Sequence, residues 1–594
     1  MVSMLNYLKN INGWSVIKWL GHLLLVYILL LFCKYLFTGD LSIRRTEFIV
    51  LISAFITLSS KIFKNKTLYY VLSLLLTTVL TSPLVIKFIT GEVILAENVI
   101  KFIGFNFAIS SAGLLVGNII SQYRIGRVVN AVLCLLLFIP TLIFWCYYLT
   151  SGALFGVDTL LAIMQTNASE SKEFLADNYN LDAILFLVFT IAMILALVLN
   201  LHHLTLRMKG KKLYFAVILF LVCDALLIYK CKGNMLTYLI KDTKIYYAKY
   251  EDFSKHQEAR KANVQKLVNV ETGDKGIYVL VIGESQNKLH MQAYGYQRPT
   301  TPWLMDMQSD KNFLLFNNVY SCHTHTVPTL VYALTAKNQY NSMKLENAVS
   351  LLEAAEAAGY ETAWLSNQVQ YSSWDTPITV IASEANQQIW LNKNVGETSR
   401  TNFYDGKLAD SIDKIKLSDK MLIVIHLMGN HGSYAERYPK EFTKFTGRNS
   451  IDYYDNSILY NDYVMKQIYE HIKALPNFKA MVYFSDHADA VDDGLFHDSS
   501  KFVLNMTKIP FYMYLSDNFI NERQDDFWNL QHDRSKPMTN DLVFNTMLGI
   551  LNIKLNGIYE ADNDILSNDY NDDLSRFKTL YGKKSIEKEL EKSK

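Results

Sequence analysis

Gly276-Ile-Tyr-Val-Leu-Val-Ile-Gly283-Glu284 and Lys479-Ala-Met-Val-Tyr-Phe-Ser485-Asp486-His487 are two apolar runs that each stop on charged or ionisable side chains. Both have the length and the β-branched and aromatic content of strands buried on two faces, the kind found in parallel sheets. Such sheets carry their sites beyond the carboxyl ends of the strands. If these two strands share a sheet, its rim receives two carboxylates and an imidazole, which are donor types that bind zinc.

Working outward, AVSLLEAAEAAGYETAWLSN, KMLIVIHLMGNHG and KIPFYMYLSD continue an alternation of helical stretches and short apolar runs from residue 276 onward. That alternation predicts an α/β domain with a mostly parallel central sheet flanked by helices, spanning 276–580. A charged tail after Lys583 reads as a frayed helix. Upstream the composition changes. Seven apolar stretches, at 15–37, 46–64, 69–91, 101–120, 128–150, 182–203 and 213–231, approach the roughly 20 residues needed to cross a bilayer. Residues 1–231 are therefore expected to form a polytopic α-helical membrane domain of about five to seven helices.

Lys61, Lys64, Lys66, Arg124, Arg127, Arg207, Lys209, Lys211 and Lys212 fall in loops on one side, which the positive-inside rule makes cytoplasmic. Arg44 and Arg45 are discordant. The C-terminal domain then lies outside. Residues 232–275, where Lys and Arg alternate with Tyr and Phe, read as a juxtamembrane linker helix. The external loop 151–181 has apolar residues at helical spacing, so an amphipathic interfacial helix is expected around Gln165, Thr166 and Asn167. A net charge of +2 over 594 residues gives no electrostatic case for nucleic acid. Of six cysteines only Cys322 lies in the C-terminal domain, which leaves it no disulfide framework.

Five polar clusters follow the predicted strands or lie in the loops after them. Glu284 taken alone reads first as a surface or capping residue, as a glutamate at a strand end more often is. Asp486-His487 at the end of a buried strand asks for a partner that offsets desolvation of the carboxylate, and a metal supplies one. In Ser321-Cys-His-Thr-His-Thr326-Val-Pro328, a threonine just ahead of a helix-starting proline is either a cap or a nucleophile beside an anion-favouring helix terminus. His431, between Gly429 and Gly432, and His497, after Gly494, could hold a phosphate or move a proton.

Together GE-S-x(4)-H-x(3)-YGYQRPTTPWL, SCHTHTVPTL, WLSNQ, HLMGNHGSYAERYP, YDNSILYNDYV and FSDHAD resemble the bacterial phosphoethanolamine transferases of the alkaline phosphatase and sulfatase superfamily. The resemblance covers about 276–550, and QTN-x(2)-E-x(2)-EFL extends it into the membrane half. It implies Zn2+ held by Glu284, Thr326, Asp486 and His487, with Thr326 the nucleophile. It also implies His431 and His497 at the phosphoryl group or a second zinc, Asn367 and Gln368 at the ethanolamine phosphate, and Gln165, Thr166 and Asn167 as further substrate-binding residues.

The implied reaction takes phosphoethanolamine from phosphatidylethanolamine to a lipopolysaccharide acceptor, in the bacterial inner membrane with the catalytic domain periplasmic and the chain a monomer. WLSNQ looks more like members that modify core sugars than lipid A. The alternatives are a phosphoglycerol transferase or a hydrolase of the same superfamily, and a non-catalytic membrane sensor. The sensor fits poorly, because no ligand position is lost.

Overall fold

The computed structural model describes residues 61–89, 96–152, 180–231, 235–267, 273–369, 377–392 and 403–592, with isolated positions elsewhere. Two compact units emerge. One comprises residues 1–157 and 179–243, the other 158–178 and 244–594.

Among the described residues, the first unit contains five helices long and apolar enough to cross a membrane. They are α1 (Lys66–Ile89), α2 (Ala96–Ile120), α3 (Arg124–Ser151), α4 (Leu181–Asn200) and α5 (Gly210–Cys231). These coincide with the last five expected spans; the spans at 15–37 and 46–64 lie almost wholly outside the described residues. Where water is absent, buried polar groups must be satisfied within the bundle. Accordingly the Asn118 amide of α2 donates to the Leu201 and Leu204 carbonyls after α4. Trp145 of α3 donates to Ser82 Oγ of α1 at 2.7 Å.

The second unit is built on a seven-stranded sheet. In chain order its strands are β1 (Gly276–Gly283), β2 (Phe313–Phe316), β4 (Glu361–Val369), β5 (Gln387–Asn392), β6 (Lys420–His426), β7 (Phe478–Ser485) and β8 (Phe511–Leu515), while the short β3 (Val319–Tyr320) pairs elsewhere with β9 (Met538–Thr539). The spatial order is β2-β8-β7-β1-β6-β4-β5. β7, β1, β6, β4 and β5 run parallel, and β8 is antiparallel to both its neighbours.

Alternation splits each central strand between two cores. Tyr278, Leu280 and Ile282 join Val482 and Phe484 on one face, and Ile277, Val279 and Val281 join Met481 and Tyr483 on the other. β1 sits in the middle because every one of its residues is buried, a pattern only a strand covered on both faces can carry. Its register pairs Gly283 with Ser485 and Ile282 with His426. The residues just beyond, Glu284, Asp486 and the loop after His426, therefore meet at one rim.

The expected linker divides into α6 (Met235–Lys255) and α7 (Gln257–Leu267). α7 is no solvated spacer. Val264 and the preceding Phe253 enter the core, and Arg260, 2% exposed, binds Glu353 at 3.1 Å and Glu384 at 3.4 Å. Glu353 belongs to α9 (Leu351–Ala357), which Ser350 and Glu353 close with a capping box. It follows α8 (Thr326–Ala333), the helix that carries the candidate nucleophile.

Candidate active site

Thr326 is the first residue of α8, preceded by His325 in extended backbone. Its hydroxyl donates to Glu284 Oε2 at 3.1 Å and lies 3.4 Å from Glu284 Oε1 and 3.4 Å from His487 Nε2. The imidazole in turn is 3.3 Å from Glu284 Oε1 and 3.4 Å from Asp486 Oδ2. Two strand-loop junctions and one helix start thus converge on a single point.

The backbone that holds these donors is strained and interlocked. Ser285 has φ 55, a left-handed value that a residue with a Cβ adopts at a cost. It is held there because its N–H donates to Asp486 Oδ1 at 3.0 Å, its hydroxyl to Glu284 Oε1 at 2.8 Å, and its carbonyl accepts from the Tyr454 hydroxyl at 2.6 Å. Tyr454 lies on α10 (Ser450–Lys473). Asp486 Oδ1 accepts a second bond from the His487 N–H at 2.7 Å, while its Oδ2 is buried without a hydrogen-bond partner. One carboxylate oxygen serves the loop and the other faces the donors.

This set fits a zinc ion. Four tetrahedral donors at bond lengths of about 2.0–2.1 Å stand about 3.3–3.4 Å apart, and the Thr326, Glu284, His487 and Asp486 atoms have that spacing along the edges given above. Electrostatics agree. Burial pushes Glu284 up to about 7, and burial with the Glu284 charge beside it pushes Asp486 up to about 8. Two carboxylates that resist ionisation together are stabilised by a cation between them.

A second donor group, His487, Asp489 and His497, adjoins the first. His497 Nδ1 is 2.6 Å from Asp489 Oδ1, and Asp489 Oδ2 accepts from the Tyr434 hydroxyl at 2.5 Å. Burial opposes charge on His497, but the Asp489 carboxylate, helped by Glu284 and Asp486, outweighs it and holds the imidazole up to about 9. His431 is the opposite case. Burial, with the Arg437 and His497 charges near it, lowers it to about 3, so it is a neutral donor or acceptor.

Its loop is placed by Gly429, whose φ is 52 and where a Cβ would stand 2.8 Å from the backbone N and O of Glu284. The Asn430 N–H also donates to the Glu284 carbonyl at 2.9 Å.

The sequence expectations divide as follows. Glu284, Thr326, Asp486 and His487 are brought together, with His497 against His487 at 4.7 Å between ring centroids. Asn367 is held within the protein. It is 1% exposed, and its amide donates to Phe403 O at 3.0 Å and Asp405 Oδ1 at 2.8 Å and accepts from Asn392 Nδ2 at 2.9 Å, so it braces the loop beside the site. Gln368 is half-buried and donates to the Leu427 carbonyl at 2.9 Å. Gln165, Thr166 and Asn167 lie outside the described residues.

Two residues escaped the sequence reading. Asp489, three positions after Asp486, orients His497; FSDHAD contained that signal. Asp405 accepts from the Met428 and Gly429 N–H groups at 2.9 and 2.8 Å and so shapes the His431 loop, and no local pattern marks it.

The chain is similar to several known proteins. Residues 277–553 match the sulfatase family. Phosphoethanolamine transferase EptC of Escherichia coli strain K12 is 27% identical over 450 residues, covering 68% of this chain and 76% of that protein. The crystal structure of the C-terminal periplasmic domain of E. coli EptC in complex with Zn is 28% identical, with TM-score 0.48, and covers 53% of this chain and 94% of that one. The integral membrane lipooligosaccharide phosphoethanolamine transferase A of Neisseria meningitidis is 20% identical, with TM-score 0.55, over 86% of this chain and 98% of that one. That last likeness extends the shared fold through the membrane helices.

Proposed function

Taking residues 277–553 as a sulfatase-family domain on a chain with membrane-length helices, we propose that the protein transfers phosphoethanolamine from phosphatidylethanolamine to a hydroxyl of lipopolysaccharide, on a core sugar or lipid A. It sits in the inner membrane with the catalytic domain in the periplasm. The observation that carries this reading is Thr326 Oγ1, at a helix start, within 3.4 Å of both Glu284 and His487.

Thr326 Oγ passes its proton to the Glu284 carboxylate to which it is hydrogen-bonded and attacks the phosphorus of the donor, the bond from phosphorus to the diacylglycerol oxygen breaks, and a phosphoethanolamine-threonine remains; the proton returns to Thr326 when the acceptor displaces it. His497, aligned by Asp489, gives its proton to the departing oxygen. It then takes a proton from the acceptor hydroxyl, whose oxygen displaces Thr326 from phosphorus. Zinc held by Glu284, Thr326, Asp486 and His487 would lower the threonine pKa and offset charge on the phosphoryl oxygens. The N-terminus of α8 favours the same anionic group. Holding both lipids in one membrane raises their effective concentration at the site.

The test is to incubate the purified protein with phosphatidylethanolamine and weigh the peptide that contains Thr326. Addition of one phosphoethanolamine is expected, together with loss of turnover in Thr326→Ala and after chelation, the latter restored by zinc. Full transferase activity in Thr326→Ala would remove the nucleophile assignment.

A further inference from the structure

Beyond the sulfatase match at residue 553, the chain returns to α8 through a small hairpin. β10 (Lys578–Thr579) and β11 (Lys584–Ser585) are antiparallel, with Lys578 opposite Ser585 and Thr579 opposite Lys584. Phe577 and Ile586 are fully buried at its base, joined by the Ile586 N–H to the Phe577 carbonyl at 3.0 Å. The tail is thus anchored where a frayed helix was expected, and Ile586–Lys592 forms a helix directly after it.

The turn is unusual. Leu580, Tyr581 and Gly582 have φ 53, 56 and 81, three successive left-handed residues of which two carry a Cβ. Glycine or asparagine would occupy the first two positions more cheaply. Conformations of this kind persist only where the surroundings impose them. Here Gln339 grips the hairpin from both sides, donating to the Lys578 carbonyl at 2.8 Å and accepting from the Gly582 N–H at 2.9 Å.

What this turn presents is the Tyr581 ring, half-buried, with its centroid 4.8 Å from that of His323 and 5.1 Å from that of Tyr332. His323 precedes the nucleophile by three residues and Tyr332 follows on its helix. From there the rings continue without a break. His323 to His325 is 5.5 Å, His325 to His497 is 5.4 Å, and His497 to His487 is 4.7 Å. Tyr581, Tyr332, His325 and His497 are all partly exposed, and Lys583 stands exposed at the turn. His323 is buried, and the planes turn by 51° and 39° along Tyr581, His323 and His325 and stand at 89° between His325 and His497, so the partly exposed Tyr581 face, edged by the Lys583 cation, is the one on which a sugar ring with acidic substituents can lie.

We propose that the 577–586 hairpin is the acceptor wall of the site. A sugar ring of the anionic glycan stacks on Tyr581, beside His323 and the helix that Thr326 starts, which directs one hydroxyl toward the phosphorus on Thr326, and Lys583 pairs with the acidic groups of the glycan. This rests on the transferase reading above and adds where the acceptor binds.

The experiment uses the full chain in detergent and two readouts. In a Thr326→Ala background that cannot turn over, calorimetry follows binding of a delipidated, phosphorylated core oligosaccharide. Tyr581→Leu keeps apolar bulk but removes the flat face, and is expected to weaken binding about tenfold, the scale of one lost aromatic contact. Tyr581→Phe is expected to restore it. With Thr326 intact, transfer is compared with diacylglycerol release from phosphatidylethanolamine alone. Tyr581→Leu should lower transfer about tenfold more than release.

Unchanged oligosaccharide binding in Tyr581→Leu, or equal losses in transfer and release, would overturn the wall. Absence of diacylglycerol release in the unaltered protein would instead overturn the transferase reading, and the binding arm decides the wall even then.

Discussion

Replacing Asp489 with asparagine keeps a hydrogen-bond partner for His497 but removes the charge that holds the imidazole protonated. Since a positioned general acid contributes about 10²–10⁴-fold, Asp489→Asn is expected to lower kcat by about 10²-fold. Bound zinc, measured by atomic absorption, should stay at the unaltered level if Asp489 acts through His497 alone. Gly429→Ala is a test of a different kind. Its Cβ would push on the Glu284 backbone, which cannot yield without moving the strand end. We expect a stability loss of about 1–3 kcal/mol, the range for overpacking a filled core, with weaker zinc binding. Denaturant titration and competition with a chelator measure the two. Asp489 did not stand out in the sequence, because it has a function only beside a histidine eight positions away; Gly429 did, but as a glycine beside His431 that lets the backbone approach a ligand, whereas its close approach is to the Glu284 backbone of a strand that begins some 150 residues earlier.

Helix α7 shows what spacing cannot supply at the level of elements. Its pattern of lysines and arginines reads as a solvated surface, and only Arg260 departs from that, because its two carboxylate partners arrive 93 and 124 residues later. Breaking such a buried set by removing one member leaves uncompensated charge and costs about 3–5 kcal/mol. Arg260→Met is therefore expected to lower the unfolding free energy by that amount, and Arg260→Met combined with Glu384→Gln to recover part of it. Thermal and denaturant unfolding of both variants would check this. The strands, by contrast, were legible. An eight-residue run buried at every position leaves a β-strand few options other than the middle of a parallel sheet, and the alternation of helix and strand set the order of the rest.

For the whole molecule, metal and pH should act together on stability. Burial holds Glu284 at about 7 and Asp486 at about 8, above the ordinary values of 4.5 and 3.8. Without metal the folded state binds more protons than the unfolded one between those limits, so stability falls as pH rises from about 4 to about 8. With zinc bound both carboxylates are ionised and that loss should vanish; melting curves with and without chelator across this range would show it. Glu284, Asp486 and His487 were readable because they sit just past strand ends, where the pattern itself points, and Thr326 because it stands two residues before Pro328, in the first turn of its helix. The hairpin at Tyr581 was not, because a left-handed turn at Leu-Tyr has no sequence signature.

Cys322 carries a practical consequence. It lies between Ser321 and His323, is 1% exposed, and its N–H is tied to Asn540 Oδ1 at 2.9 Å, with burial holding the thiol well above its usual range. A maleimide can reach that sulfur only when the 321–326 loop lifts out of the fold. Labelling of Cys322 is thus a clock for the opening of the Thr326 loop, one that should slow when zinc is added and speed up in Gly429→Ala.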